Sequence, residues 1–152
     1  ASVANDQPDT ATELRARAIR LLARREHSRA ELRRKLLPQA ESPEALDVVL
    51  ADLEKKQQLS DERFSAERAR VLSRKFGAAR IRRDLKAKGV DPGLVSRVSI
   101  EGELERAGRI LERKYREPAA TREERAKRMR FLQGRGFSFD VIRSLLSSRD
   151  AD

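Results

Sequence analysis

The sequence predicts an all-α protein: three tandem three-helix units, about nine helices of roughly 8 to 16 residues each, in an elongated, curved arrangement. Three observations lead there. Apolar residues recur every three or four positions from Leu14 to Leu146. No stretch alternates with a sustained period of two, as a half-buried strand would. A ten-residue helical segment recurs three times.

Each element has its own marks. Thr10 with Glu13, Ser28 with Glu31, and Thr121 with Glu124 have capping-box spacing, in which two side chains satisfy end-of-helix N–H groups reciprocally. Ser42-Pro43 and Asp91-Pro92 place an N-cap before a proline suited to the first helical position. Pro38, Gly77, Gly89, Pro118 and Gly134 to Gly136 mark the stops. Between these marks the expected inward stripes are Leu14, Ala18, Leu21 and Leu22; Leu32, Leu36 and Leu37; and Leu46, Val49, Leu50 and Leu53. There follow Phe64, Val71, Leu72 and Phe76; Ile81 and Leu85; and Leu94, Val95 and Val98. Leu104, Ala107, Leu111 and Tyr115, then Met129 and Leu132, then Phe139, Ile142, Leu145 and Leu146 complete the set.

The repeat aligns His27-Ser28 to Leu36 without gaps on Phe76-Gly77 to Leu85, and both on Phe137-Ser138 to Leu146. A small polar residue or glycine opens each helix. After three intervening positions comes a branched aliphatic followed by Arg, and after two more a Leu closes the pattern. So short a helix buries too little apolar surface to stand alone and must pack on its neighbours. The expected organisation is a flexible tail (1–9), helical units at 10–58, 59–99 and 100–148, and a C-terminal tail (149–152).

Composition excludes several classes of chemistry. The chain has 152 residues, with no Cys and one His. Disulfides, thiolate metal sites, cysteine nucleophiles and two-His metal sites are thereby excluded. No glycine-rich phosphate loop occurs, and no apolar run reaches the length of a membrane span. Asp61-Glu62 and Glu123-Glu124 fall at helix starts, where acidic side chains favour the dipole. His27 aligns with Phe76 and Phe137, which reads as a packing residue. The expectation is a protein that is not an enzyme, needs no cofactor and binds no metal, in a cytosolic compartment.

Charge is the informative property. Net charge is +10, with 35 Lys and Arg against 25 Asp and Glu. From Leu14 to Leu37 there are nine basic and two acidic residues, and the same counts hold from Phe64 to Val90. From Thr121 to Leu146 the counts are seven and three, whereas Glu41 to Arg63 has three basic and seven acidic. A basic stripe is the electrostatic footprint of a polyanion, held through phosphates and therefore sensitive to salt. Aromatic residues are few, five Phe and one Tyr, and fall where core packing is expected, which argues against stacking recognition of single strands. Arg33, Arg82 and Arg143 hold the same place in the repeat. Their shared job is either a polyanion contact or an ion pair at a joint between units.

Four segments in order resemble the RecX family, regulatory proteins of the bacterial RecA recombinase. Gly77 to Val90 resembles its central signature, and Leu59-Ser60-Asp61-Glu62-Arg63-Phe64 its junction before the second unit. Phe131 to Phe137 with Val141-Ile142 resembles its C-terminal Arg-Gly-Phe segment, and His27 to Leu36 its N-terminal one. The resemblance implies three tandem three-helix units and binding in the groove of the RecA filament on single-stranded DNA. It further implies inhibition of ATP hydrolysis, strand exchange and co-protease activity, by blocking filament extension or promoting disassembly. It carries no catalytic motif. The residues offered for filament or DNA contact are Arg33, Arg34, Arg74, Lys75, Arg80, Arg82, Arg83, Lys86, Lys88, Arg135 and Arg143. Weak binding to DNA alone is allowed, no membrane is involved, and nothing demands more than a monomer. The alternative is an autonomous helix-turn-helix-like DNA-binding module acting through phosphate contacts, with Arg80, Arg82, Arg83 and Lys86 as its reading face. A helical scaffold with no nucleic-acid role is disfavoured by the clustered charge.

Overall fold

The computed structural model describes residues 7–99 and 101–150, with the side chains of 148–150 left aside. Most of the two expected tails lies outside the described residues. Regular structure among these residues is helical: α1 (Ala11–Arg24), α2 (Arg29–Leu36), α3 (Pro43–Lys55), α4 (Asp61–Leu72) and α5 (Ala78–Ala87). There follow α6 (Pro92–Val95), α7 (Glu103–Lys114), α8 (Arg122–Gly134) and α9 (Phe139–Asp150). A single 3-10 turn, Leu37–Gln39, extends α2, and Asp9 pairs with Ala40 in an isolated bridge. Contacts divide the chain into two compact units. The first runs to Glu67 and includes Lys88–Asp91; the second holds Arg68–Ala87 and everything from Pro92 on.

In the first unit α1, α2 and α3 pack pairwise around Leu14, Ala18, Leu32, Leu36, Leu46, Val49, Leu50 and Leu53, with Leu59 closing the end. Each fully buried leucine contributes roughly 1.5–3 kcal/mol of transfer free energy, which helices this short need to hold together. Thr10 and Glu13 form the reciprocal capping box. Ser42 and Ser28 cap α3 and α2, but Glu31 turns from the cap to pair with Arg25. The Ser28 hydroxyl does two things: it accepts from Glu31 N–H and donates to Lys88 O at 2.7 Å. Another donor of the α2 start, Arg29 N–H, is taken by Asp61 Oδ1 at 2.7 Å. Asp61 therefore caps a helix other than the one it begins. Burial raises its pKa, and the Arg29 N–H bond opposes that shift.

The second unit solves the same problem with different residues. Gly77 stands where Ser28 stands in the repeat and has no side chain with which to cap α5. Instead Gly77 N–H donates to Arg135 O (2.8 Å) and Ala79 N–H to Gly136 O (3.3 Å). Ala78 N–H donates to the carboxylate of Glu103, which is only 5% exposed. Glu103 is the first residue of α7, as Asp61 is of α4, so both units satisfy a helix start with the acid that opens a later helix. The backbone approach is close. A Cβ on Gly77 would lie 2.5 Å from Gly136 O, and Gly136 adopts φ +93°, where glycine is favoured.

Around this joint α7, α8 and α9 bury Ala107, Ile110, Leu111, Leu132, Phe137, Ile142, Leu145 and Leu146. Ile81 and Leu85 of α5 are 2% and 0% exposed. Five expectations fail. Leu37 is exposed, where α2 runs on into the 3-10 turn. Leu104 is exposed because Glu103, at the inward position, forms one line with Ala107, Ile110 and Leu111. Val71 is exposed while Leu72 turns inward. Phe139 is 54% exposed, in the first turn of α9 and clear of the cluster. The element after Asp91 is one turn long: Ser96 Oγ–H bonds back to Gly93 O, and Val98 N–H closes a tighter turn on Val95 O.

Candidate nucleic-acid interface

The eleven sequence-predicted contact residues separate into three kinds. The first kind is structural. Arg33 reaches from α2 to Asp47 on α3, with Nε 2.8 Å from Oδ1. The shared bond holds the Arg33 pKa up and the Asp47 pKa down. Arg82, at the same place in the second repeat, donates to Val98 O at 2.8 Å. In these two copies the arginine ties the repeated helix to the segment that follows it within the same unit, whereas Arg143, the third copy, lies over Phe139 of its own helix. Neither of the two jobs expected for these arginines matches this one. Lys88 contributes its carbonyl to Ser28.

The second kind forms a cation–aromatic ladder in the second unit. The Arg80 guanidinium lies 4.4 Å from the centre of the Phe76 ring and donates to Gly134 O at 3.1 Å. Arg135 sits between Phe76 and Phe131, at 5.3 and 5.2 Å. Lys114 lies 4.4 Å from Phe131, and the buried Arg128 lies 4.5 Å from Tyr115. Tyr115 and Phe131 meet edge to face at 6.0 Å. Phe76, Tyr115 and Phe131 are half-buried, and Tyr115 and Phe131 pack against the α7–α9 core as expected while also meeting these cations. Each such contact is worth about 0.5–1 kcal/mol at an exposed site. Arg143 lies in the same way over Phe139, at 4.8 Å.

The third kind is free charge. Arg34, Arg74, Lys75, Arg83 and Lys86 are exposed and carry no ion pair among the described residues. Arg74, Lys75, Arg83 and Lys86 share the second unit with the ladder. Such groups keep their counterions until a polyanion displaces them, which makes binding tighter at low salt.

Two basic grooves were missed in the sequence. In the first unit Arg17, Arg20, Arg24 and Lys35 line a groove of about 320 Å³ between α1 and α2, with Arg17 already paired to Asp9. In the second, Arg106, Arg109 and Arg113 of α7 line another. The segment charge counts did not take in α7; arginines at a spacing of three and four residues were the signal available. His27 is 2% exposed. Its Nε2 meets the ammonium of Lys35 at 3.1 Å and must accept there, so Nδ1–H donates to Arg25 O at 3.0 Å. Burial, with Arg25 and Lys35 nearby, holds its pKa below the ordinary histidine value. It is a satisfied packing residue. Among the described residues no cluster of three or more His, Asp or Glu is placed to hold a metal, and no helix is long and apolar enough to cross a membrane.

Comparison with known proteins matches three consecutive family models. Residues 15–53 match the first three-helix domain of RecX, 60–98 the second and 101–146 the third. A regulatory protein RecX from Leptothrix cholodnii is 42% identical over 141 residues, covering 90% of this chain and 89% of the relative. Another from Herbaspirillum seropedicae is 42% identical over 133 residues, covering 86% of each. The crystal structure of RecX from Lactobacillus salivarius superposes with a TM-score of 0.78 at 20% identity, over 93% of this chain and 97% of that one, and supports the fold. Three matched domains in order, on an all-helical chain with the same repeated pattern, place this protein in the RecX family of regulatory proteins.

Proposed function

We propose that the chain is a negative regulator of the bacterial RecA recombinase, acting in the cytoplasm as a monomer and by binding rather than catalysis. It lies in the groove of the RecA–single-stranded DNA filament and inhibits ATP hydrolysis, strand exchange and co-protease activity, by blocking extension or promoting disassembly. The observation that carries this reading is the cationic face of the second unit. There Arg80 and Arg135 are fixed against Phe76, beside the unpaired Arg74, Lys75, Arg83 and Lys86. A preformed row of cations suits repeated phosphates or the acidic surface of a nucleoprotein groove, and it offers no reacting group.

Lys75, Arg83 and Lys86 changed together to Ala test the reading, and Arg80 and Arg82 are left in place because they hold Gly134 O and Val98 O. Loss of three exposed charge contacts at about 0.5 kcal/mol each is roughly a tenfold loss of affinity. The expected result is about a tenfold rise in the concentration that half-inhibits RecA ATP hydrolysis, with an unchanged circular dichroism spectrum. Unchanged inhibition by the folded variant would remove this face from the mechanism.

A further inference from the structure

We propose that the arginine groove on α7 is a second, separate seat for the phosphodiester backbone of a nucleic acid strand. The inference rests on the reading of nucleic acid as a partner and adds the arginines of α7, a site that shares only Arg74 with the face named above. Ser73, Arg74, Arg106, Arg109, Ile110 and Arg113 line a groove of about 230 Å³. Arg109 and Arg113 continue into a neighbouring, more open groove with Glu112 and Arg116.

Four properties point to phosphate. The first is crowding: four guanidiniums from two segments share one concavity, and their mutual repulsion works against the folded state until an anion occupies it. The second is that most of this charge is uncommitted. Arg74, Arg109 and Arg113 are exposed and have no ion pair among the described residues. The third is preorganisation of Arg106. Its Nη2 is 3.4 Å from Glu103 Oε1, the carboxylate that also holds Ala78 N–H, and its Nε is buried without a hydrogen-bond partner. The fourth is spacing. From Arg106 to Arg113 is about 10 Å along the helix axis, long enough for the guanidiniums to meet neighbouring phosphates of one strand.

The guanidinium fork matches two phosphate oxygens at once, which favours phosphate over a point-charge partner. No aromatic side chain lines the groove, so it reads backbone charge and not base identity. Two carboxylates adjoin it: Glu103, committed to Arg106 and Ala78 N–H, and Glu112, which borders the outer part.

The test needs no recombinase, so its outcome is separate from that of the regulator reading. Binding of a labelled oligo-dT strand to the full chain is followed by fluorescence anisotropy across a salt series. The chain is compared with Arg109→Ala/Arg113→Ala and with Arg109→Lys/Arg113→Lys. Two lost phosphate contacts should flatten the slope of log K against log salt by about 1.4, at roughly 0.7 per contact for a single strand. The lysine pair, which keeps charge without the fork, should recover most of the slope. A double-alanine variant that melts normally and keeps the parent slope and affinity would overturn the seat. So would an alanine pair that loses poly-glutamate binding but not oligo-dT binding, since the groove would then serve an acidic peptide. A chain that fails to inhibit RecA yet shows the flattened slope would keep the seat and lose the regulator.

Discussion

Alanine in place of Gly77 is expected to lower the thermal midpoint by roughly 6–12 °C, the equivalent of about 3 kcal/mol in a domain of this size. The new methyl group would stand 2.5 Å from Gly136 O, 2.7 Å from Gly136 C and 2.8 Å from a ring carbon of Phe137. Two of those neighbours are backbone and cannot rotate away. Relief requires the 135–137 segment to retreat, which breaks the bonds from Gly77 and Ala79 to Arg135 and Gly136. Overpacking and lost hydrogen bonds act in the same direction. Gly134→Ala is the control, because nothing lies within 4 Å of a Cβ there and the residue is helical. A modest gain in stability is expected from it. A Gly77→Ala protein that melts like its parent would show that the α5 start does not rest on the Gly136 segment.

Ile81→Asp should be more severe still. Ile81 is 2% exposed on a helix of only ten residues, and Leu85, one turn on, is fully buried. A carboxylate there has no cation to meet it inward and would be desolvated without compensation. The cost is on the order of 3–5 kcal/mol or more, a large share of the stability of a domain this small. Far-ultraviolet circular dichroism during thermal melting should show loss of the cooperative transition or a midpoint many degrees lower. Arg83→Asp, on the exposed side of the same helix, should melt within a few degrees of the parent. Similar melting of the two variants would mean that the inward face of α5 has been misassigned.

Much of this fold was legible because leucines at helical spacing have few places to go. The stripes of α1, α2 and α3 were read correctly down to Leu14, Leu32, Leu36 and Leu50. His27 was legible too, since its repeat partners are phenylalanines. Periodicity could not decide between neighbours, however. At the start of α7 it favoured Leu104 over Glu103, and only the Ala78 N–H across the unit explains why a carboxylate is the one buried. Gly77 was visible as a helix boundary, but its close approach to Gly136 involves residues 59 positions apart, and no local pattern records that.

The candidate site was legible as charge and less so as geometry. Recurrence of Arg33 and Arg82 marked a shared role correctly, yet that role is to tie a helix to the next segment. Segment sums found the basic α5 region and did not take in α7, whose arginines at a spacing of three and four gather on one groove. The aromatic residues were assigned to the core from their helical spacing. Tyr115 and Phe131 do pack against that core, but half-buried, and with Phe76 they also meet Arg80, Arg135, Lys114 and Arg128, an arrangement that joins residues from α5, α7 and α8 and their ends.

The central claim, regulation of a recombinase filament, is tested most directly by titrating this protein into DNA-dependent ATP hydrolysis by the RecA of the same bacterium, at two salt concentrations. The account predicts inhibition well below one molecule per RecA monomer, weakening as salt rises. Absence of inhibition at any ratio, with salt-sensitive DNA binding measured in parallel, would contradict it and leave an autonomous DNA-binding module in its place.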